Sequence, residues 1–343
     1  MTGKIVKKIL ISSLFFLLVL VSWFHLELNA PLKVLPKKLL VEIQRGESVQ
    51  KIAMTLKEKG IIRKRLVFLL AYKLLYPRES LKAGEYEFIL PLSLKDFLNK
   101  LIEGKVYLHP LVIPEGLTRG EIAELLESMN FFKKEEFLEA TLQTQLISSL
   151  DTDALDLEGY LFPDTYFVPK GISAFEFASM MVSQFKTVFN EDSRRRTSEL
   201  RMTTREIVTL ASLIEKETSL PEEKKLISSV FHNRLRRGMK LDCDPTIIYF
   251  LKKEGKYKNS NGLKKKDLSL DNPYNTYIYP GLPPSPICNP GRDSLQAALF
   301  PSNEQYLYFV SKNDGSHHFS QTYPEHQRAV QKYQKRFSLS KGN

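Results

Sequence analysis

Two carboxylates close a helix-patterned run, Thr203-Thr-Arg-Glu-Ile-Val-Thr-Leu-Ala-Ser-Leu-Ile-Glu-Lys-Glu-Thr218. They are Glu215 and Glu217. A carboxyl at the edge of an apolar helix face is partly desolvated, which disfavours its charged form and raises its pKa. A general acid working near neutral pH needs that property. Ile207, Leu210, Ala211 and Ile214 recur at i, i+3, i+4 and i+7, with Val208 and Leu213 widening the face. At about 100° per residue, Glu217 and Glu215 lie roughly 70° and 90° from the centre of that face, on opposite edges. The pattern also fits two solvated carboxylates flanking Lys216 at a helix end, so spacing alone leaves both readings open.

Other chemistries find less support. His317 and His318 alternate across a strand pattern and cannot face one ion together. There is no His-Glu-x-x-His and no cysteine pair at zinc spacing, so no metal is expected. No phosphate-binding loop, dinucleotide fingerprint or Gly-x-Ser-x-Gly elbow occurs, and no cofactor is expected. The two cysteines, Cys243 and Cys288, lie in irregular segments. Outside the cytoplasm neighbouring thiols tend to oxidise, so a disulfide between these loops is one expectation and two small buried side chains the other. The segment Leu157-Glu-Gly-Tyr-Leu-Phe-Pro-Asp-Thr-Tyr-Phe-Val168 mixes aromatics, carboxylates, Gly and Pro without a period. It reads as a constrained loop whose Tyr160, Phe162 and Tyr166 either stack on sugar faces or fill a corner of the core.

The elements that position these groups can be read in part. Thr203 with Glu206, Ser219 with Glu222, and Thr118 with Glu121 have capping-box spacing. The first two predict a helical hairpin with Glu217 at its corner, the second helix carrying Leu226, Ile227, Val230, Phe231 and Leu235 and ending at Gly238. Pro280–Gly291 holds five Pro and two Gly in twelve residues and reads as an ordered irregular wall. Ser294–Phe300 reads as a short helix, Tyr306–Val310 and His317–Ser320 as strands around Asn313-Asp-Gly315, and Tyr323–Phe337 as a closing helix. Upstream, residues 39–43 and 81–89 read as strands. Helices lie between them, from Ser48 to Gly60 and from Arg63, and another runs from Ser93 to Gly104. This order looks like a LysM-type module, which binds amino-sugar polymers; a plain α+β spacer has the same order. The plan of strand, Gly, hydroxyl residue and helix occurs again at 108–129.

At the start of the chain, Lys4, Lys7 and Lys8 precede Ile9–Leu26, which contains no Lys, Arg, Asp or Glu. About 18 residues is near the lower limit for crossing a bilayer. Trp23 sits where an interfacial aromatic belongs, and the lysines put the N-terminus in the cytoplasm. A cleaved signal peptide is the competing reading, but no convincing cleavage site follows. The net charge of +11 invites a nucleic-acid reading, which the export signal opposes. The basic clusters are small and scattered, so an anionic membrane or polymer is the better partner. The expected organisation is a tail (1–8), a transmembrane helix (9–26), a linker (27–37), a LysM-like module (38–107) and a larger mixed domain (108–338), α+β overall.

Leu210–Thr218, Val230–Met239, Asp244-Pro-Thr246, Tyr274–Tyr277 and Gly281–Pro284 closely resemble the MltG/YceG family of endolytic murein transglycosylases. Ile113–Gly116, Leu157–Tyr166, Tyr306–Val310, His317 and His326 match it in the same order. The resemblance implies a single-pass inner-membrane enzyme with an extracytoplasmic domain that cuts nascent peptidoglycan strands internally. It implies Glu217 as the acid/base, with 1,6-anhydro-N-acetylmuramic acid ends as product and peptidoglycan synthases as expected partners. Tyr160, Asp164, Tyr166, Asn233, Asp244, Asn275 and Tyr277 are the matching candidates for positioning the sugar or Glu217. Cys243 stands where some relatives carry Ser or Thr, which puts any hydroxyl role there in doubt. A water-using muramidase would need a second carboxylate, for which Asp244 or Asp164 could serve. A non-catalytic glycan-binding scaffold would need neither.

Overall fold

A computed structural model describes residues 2–32, 38–257 and 262–335. The chain divides into two compact units, Met1–Pro110 with Phe167–Gly171, and Leu111–Tyr166 with Ile172–Asn343. Mixed α and β elements make up the fold, as the sequence pattern requires.

The first unit opens with α1, Thr2–Asn29, of which Lys4–Asn29 is long and apolar enough to cross a membrane. Its far end does not stop at a free linker. Leu28 is buried in the core of the following module and Leu32 N–H donates to Leu92 O at 2.9 Å; the rest of the expected linker, 33–37, lies outside the described residues. Strands β1 (Lys38–Ile43) and β2 (Gly84–Ile89) pair antiparallel, Lys38 opposite Ile89 and Ile43 opposite Gly84. Alternation sends Val41, Ile43, Tyr86 and Phe88 inward. Helices α2 (Val49–Glu58), α3 (Arg65–Leu75) and α4 (Leu94–Glu103) cover that face. Ser48 and Ser93 each accept a hydrogen bond from the third helical N–H, as their spacing predicts. Phe88 and Phe97 stack at 4.2 Å between ring centres.

Strand β3 (Leu108–Val112) forms a two-stranded sheet with β4 (Thr165–Pro169). The second unit is mostly helical: α5 (Arg119–Ser128), α6 (Lys134–Ala140), α7 (Ala174–Val188), α8 (Glu191–Glu199), α9 (Thr204–Glu217), α10 (Pro221–Arg236), α11 (Asp244–Lys253), α12 (Arg292–Leu299) and α13 (Tyr323–Val330). A hairpin of β5 (Tyr308–Ser311) and β6 (His317–Ser320) completes it. The closing helix begins at Tyr323 as expected. After Val330 it widens into a π-helical turn, Gln331–Lys335, and its last expected residues lie outside the description.

Helix α9 is the axis of this unit. Every residue from Ile207 to Ile214 is buried, with α8, α10, α11 and α12 packed around it. Its capping box, Thr203 with Glu206, forms as the spacing predicts, and so does that of Thr118 with Glu121 on α5. The box expected from Ser219 and Glu222 does not form. Leu220 caps α10 without a side-chain bond, and Pro221 at the first position has no N–H to satisfy. The Leu220 N–H is taken by the Thr218 hydroxyl at 3.1 Å.

Gly159 explains why the 157–168 loop needs a glycine. Its φ is +88°, and a Cβ there would lie 2.5 Å from Pro286 Cγ and 2.9 Å from Val208 Cγ1. The loop therefore packs directly against the Pro-rich wall. Asn289 of that wall fastens it: the side-chain oxygen accepts from Gly159 and Leu161 N–H at 2.9 Å each. The side-chain nitrogen donates to Leu117 O at 2.9 Å and Glu158 Oε1 at 3.1 Å.

Candidate active site

The end of α9 sends its two carboxylates to different surroundings. Glu215 turns into a polar socket. Its Oε2 accepts from Gly291 N–H at 3.0 Å and Ser294 Oγ at 2.6 Å and pairs with Lys224 Nζ at 3.2 Å. Lys224 is itself buried and also lies 3.9 Å from Glu115. Burial and the nearby Glu215 raise the Glu115 pKa, and Lys224 partly offsets this. With all its partners inside the fold, Glu215 is a structural group.

Glu217 instead opens onto a cleft of about 280 Å³, lined also by Arg234, Leu241, Asp242, Asp244, Tyr277, Phe309 and His326. Burial is the main cause that pushes its pKa up to about 7. The Cys243 thiol, donating to Glu217 Oε1 at 3.0 Å, opposes that rise; Asp244 adds to it and His317 counters it. A carboxyl in this state is half protonated near neutral pH and can both give and take a proton there.

Several segments fix this geometry. Cys243 N–H donates to Thr276 Oγ1 at 3.0 Å, and Cys243 O accepts from Thr246 Oγ1 at 2.7 Å. Tyr277 OH donates to Asp244 Oδ1 at 2.7 Å, and its N–H to Asn275 Oδ1 at 3.0 Å. Asn275 is fully buried and ties the turn to Leu268 O and Leu270 O. Arg234 is held by Leu307 O at 2.7 Å, Lys240 O, Leu241 O and Asp242 Oδ2 at 2.8 Å. Next to Thr218, Glu223 binds both the N–H and Nδ1 of His317, at 2.8 and 2.6 Å.

The expected site residues therefore separate. Asp244 and Tyr277 share the cleft with Glu217, and Asn275 braces the turn behind them. Asn233 is buried on α10 and donates to Glu304 O and Tyr306 O, both at 2.8 Å. Tyr160 lies in the core, its hydroxyl on Asp151 Oδ2 at 2.6 Å, where Arg205 also binds. Tyr166 is buried edge-on to Phe177 and bonded to Phe162 O. With Phe162 also enclosed, these rings present no face to a sugar, and the loop is a corner of the core. Asp164 is exposed, accepts from Gln184, and is not part of the cleft lining.

The expected disulfide is absent. Both cysteines are free and buried, Cys243 on Glu217 and Cys288 on Ser212 O at 3.4 Å. Among the described residues no cluster of His, Cys, Asp and Glu gathers as a metal would require. Sequence reasoning missed Arg234, Asp242, Phe309 and His326 as cleft residues. Asp242 is held left-handed (φ +50°), which Asp tolerates better than most residues, but no spacing in the sequence marked it.

Comparison with known proteins gives consistent results. The model of the YceG-like family matches residues 41–332. The endolytic murein transglycosylase of Bacillus subtilis (strain 168) is 32% identical over 310 residues, covering 85% of this chain and 84% of its own length. That of Streptococcus pneumoniae (serotype 2, strain D39) is 31% identical over 325 residues, covering 86% of this chain but 58% of its own. The crystal structure of a yceG-like protein from Listeria monocytogenes superposes with a TM-score of 0.57 at 34% identity, covering 85% of this chain and 98% of that one.

Proposed function

The chain belongs to the YceG-like family, and from that premise we propose that it is a membrane-anchored endolytic lytic transglycosylase of peptidoglycan with Glu217 as its acid/base. The observation that carries the assignment to Glu217 is its setting: a carboxyl pushed up to about 7, open to the cleft, with its twin Glu215 engaged elsewhere.

In this reading protonated Glu217 donates to the oxygen between N-acetylmuramic acid and N-acetylglucosamine as the glycosidic bond breaks. The oxocarbenium-like C1 is captured by the 6-hydroxyl of the same sugar. Glu217, now ionised, accepts that hydroxyl's proton, so the group returns to its starting state and the product ends in a 1,6-anhydro ring. No water enters, and one carboxyl suffices. Tyr277 and Asp244 act as a hydrogen-bonded pair facing the sugar, with Asn275 bracing their turn and Asn233 holding the segment that leads to β5; Tyr160 and Tyr166 serve from within the core, and Asp164 stays outside the cleft lining. The Asp244 charge also raises the Glu217 pKa, which favours the protonated start.

The rest of the chain fits the same reading. In this reading residues 1–8 lie in the cytoplasm, 9–26 cross the inner membrane, 38–107 form a LysM-like module and 108–338 form the catalytic domain outside. Peptidoglycan synthases are the expected partners.

The test is mass spectrometry of fragments released from uncrosslinked peptidoglycan by the full chain and by Glu217→Gln. Anhydro ends from the wild type alone support the proposal. Reducing ends would make it a muramidase, with Asp244 the first candidate for the second carboxylate. Cleavage by Glu217→Gln at the wild-type rate would remove Glu217 from the chemistry.

A further inference from the structure

Helix α3 carries an apolar stripe that the fold does not use. Its inner face, Val67, Phe68 and Ala71, fills the module's core. Leu66, Leu70 and Leu74 recur every fourth residue on another side and are 73%, 47% and 64% exposed. Arg65, Lys73 and Arg78 are exposed around them and make no ion pair with any described residue. A contiguous exposed leucine stripe is costly in water and marks a surface that meets something apolar.

The same unit says what that is. The start of α3 is fastened to the outer end of α1. Lys64 pairs with Glu27 at 2.6 Å and lies over the Trp23 ring at 4.9 Å, and Arg63 donates to Pro31 O at 3.1 Å. Phe24 and Leu28 of α1 pack into the module's core. The module therefore sits directly on the point where the apolar helix ends, with Trp23 at the level of an interface. The leucine stripe begins two residues after the Lys64 contact.

We propose that α3 lies on the outer face of the membrane that α1 crosses, with Leu66, Leu70 and Leu74 sunk into the lipid and Arg65, Lys73 and Arg78 among anionic headgroups. The proposal rests on the anchoring part of the reading above and not on the enzymatic part. Two features favour lipid over a protein partner: α3 starts beside the outer end of α1, whose surface is already apolar, and the only charges on α3 itself, Arg65 and Lys73, are cations. Its consequence is that the first unit is held flat on the bilayer by two elements, not tethered by one.

Spin labels on single introduced cysteines in the full chain, reconstituted in phosphatidylcholine–phosphatidylglycerol vesicles, test this. The native thiols are buried, so labelling is selective. Labels go at Leu70 and Leu74 on the stripe, at Glu58 as an exposed site on α2, and at Leu17 within α1. All four are exposed in the fold, so none of the substitutions disturbs the core. The expected result is that Leu70 and Leu74 labels collide readily with oxygen and poorly with a nickel chelate, as Leu17 does and Glu58 does not. Leu17 in lipid with Leu70 and Leu74 reading as Glu58 would overturn the proposal. So would labels at 70 and 74 shielded from both reagents, which would mean that protein covers the stripe. A Leu17 label reading as aqueous would overturn the anchoring reading and this inference together.

Discussion

Cys243 Sγ donates to Glu217 Oε1 at 3.0 Å, so the carboxyl at the cleft is oriented by a thiol. A thiol is a weak donor. It fixes one oxygen and opposes the rise, but burial outweighs it and pushes the pKa up to about 7.

Cys243→Ser and Cys243→Ala are therefore expected to shift activity in opposite directions. If Glu217 must be protonated to act, kcat/KM falls as pH rises through its pKa. Serine, the stronger donor, favours the carboxylate and moves that alkaline limb down by about half to one pH unit. Alanine removes the donor and moves the limb up, with a lower plateau because the carboxyl is less well held. Limbs that coincide in all three proteins would dismiss the thiol's influence.

Glu217→Gln is expected to lower kcat by about 10²- to 10⁴-fold, the usual reach of general acid–base catalysis. It should also stabilise the fold in alkali. The folded carboxyl keeps its proton to about pH 7, whereas the unfolded one ionises in the ordinary carboxylate range. Stability thus declines as pH rises between those values, by about 1–3 kcal/mol for this group. Thermal melts at pH 4 and pH 8 should show the variant ahead of the wild type only at pH 8.

Glu215→Ala should behave the other way. It strands buried Lys224 and the Gly291 and Ser294 donors, and costs about 3–5 kcal/mol of stability. Denaturant unfolding separates the pair: the midpoint should drop sharply for Glu215→Ala and not for Glu217→Gln. Equal drops would mean that the two carboxylates share one structural role.

Glu158 offers an independent measure of burial. It is enclosed, and burial is the main cause that pushes its pKa up to about 8, against an opposing hydrogen bond from Arg119 N–H. Its folded pKa also lies above the unfolded one, so it contributes less stability as pH climbs from about 5 to 8. Glu158→Gln should flatten the fall of Tm over that window. An unchanged slope would show that the carboxyl is ionised in the folded state.

These contrasts show what the sequence could and could not carry. The α9 helix, its Thr203 cap and its buried face follow from local spacing, and so do the Ser48, Ser93 and Thr118 helix starts. Glu215 and Glu217 could not be separated because their neighbours come from elsewhere: Lys224, Gly291 and Ser294 for one, Cys243 for the other. Tyr160 and Tyr166 went to the core because a loop without a period does not show which way its rings turn; their partners Asp151 and Phe177 lie close by in sequence, and only Arg205 is distant. The Ser219–Glu222 signature was present, but the helix starts one residue later, with Leu220 as its cap and Pro221 at its first position. The 241–249 segment was not read as a helix, although Pro245 sits within the first turn of α11, where proline is tolerated.

Asn289 holds the Pro-rich wall, the 157–161 loop and the turn before α5 through one amide side chain. Asparagine is the residue most open to spontaneous ageing, because the backbone nitrogen that follows can attack the side chain, close a succinimide and expel ammonia. Here the next residue is Pro290, whose nitrogen carries no hydrogen and cannot make that attack. The amide on which three loops depend is thus shielded from deamidation by its own neighbour, and the wall can stay intact for the working life of the molecule.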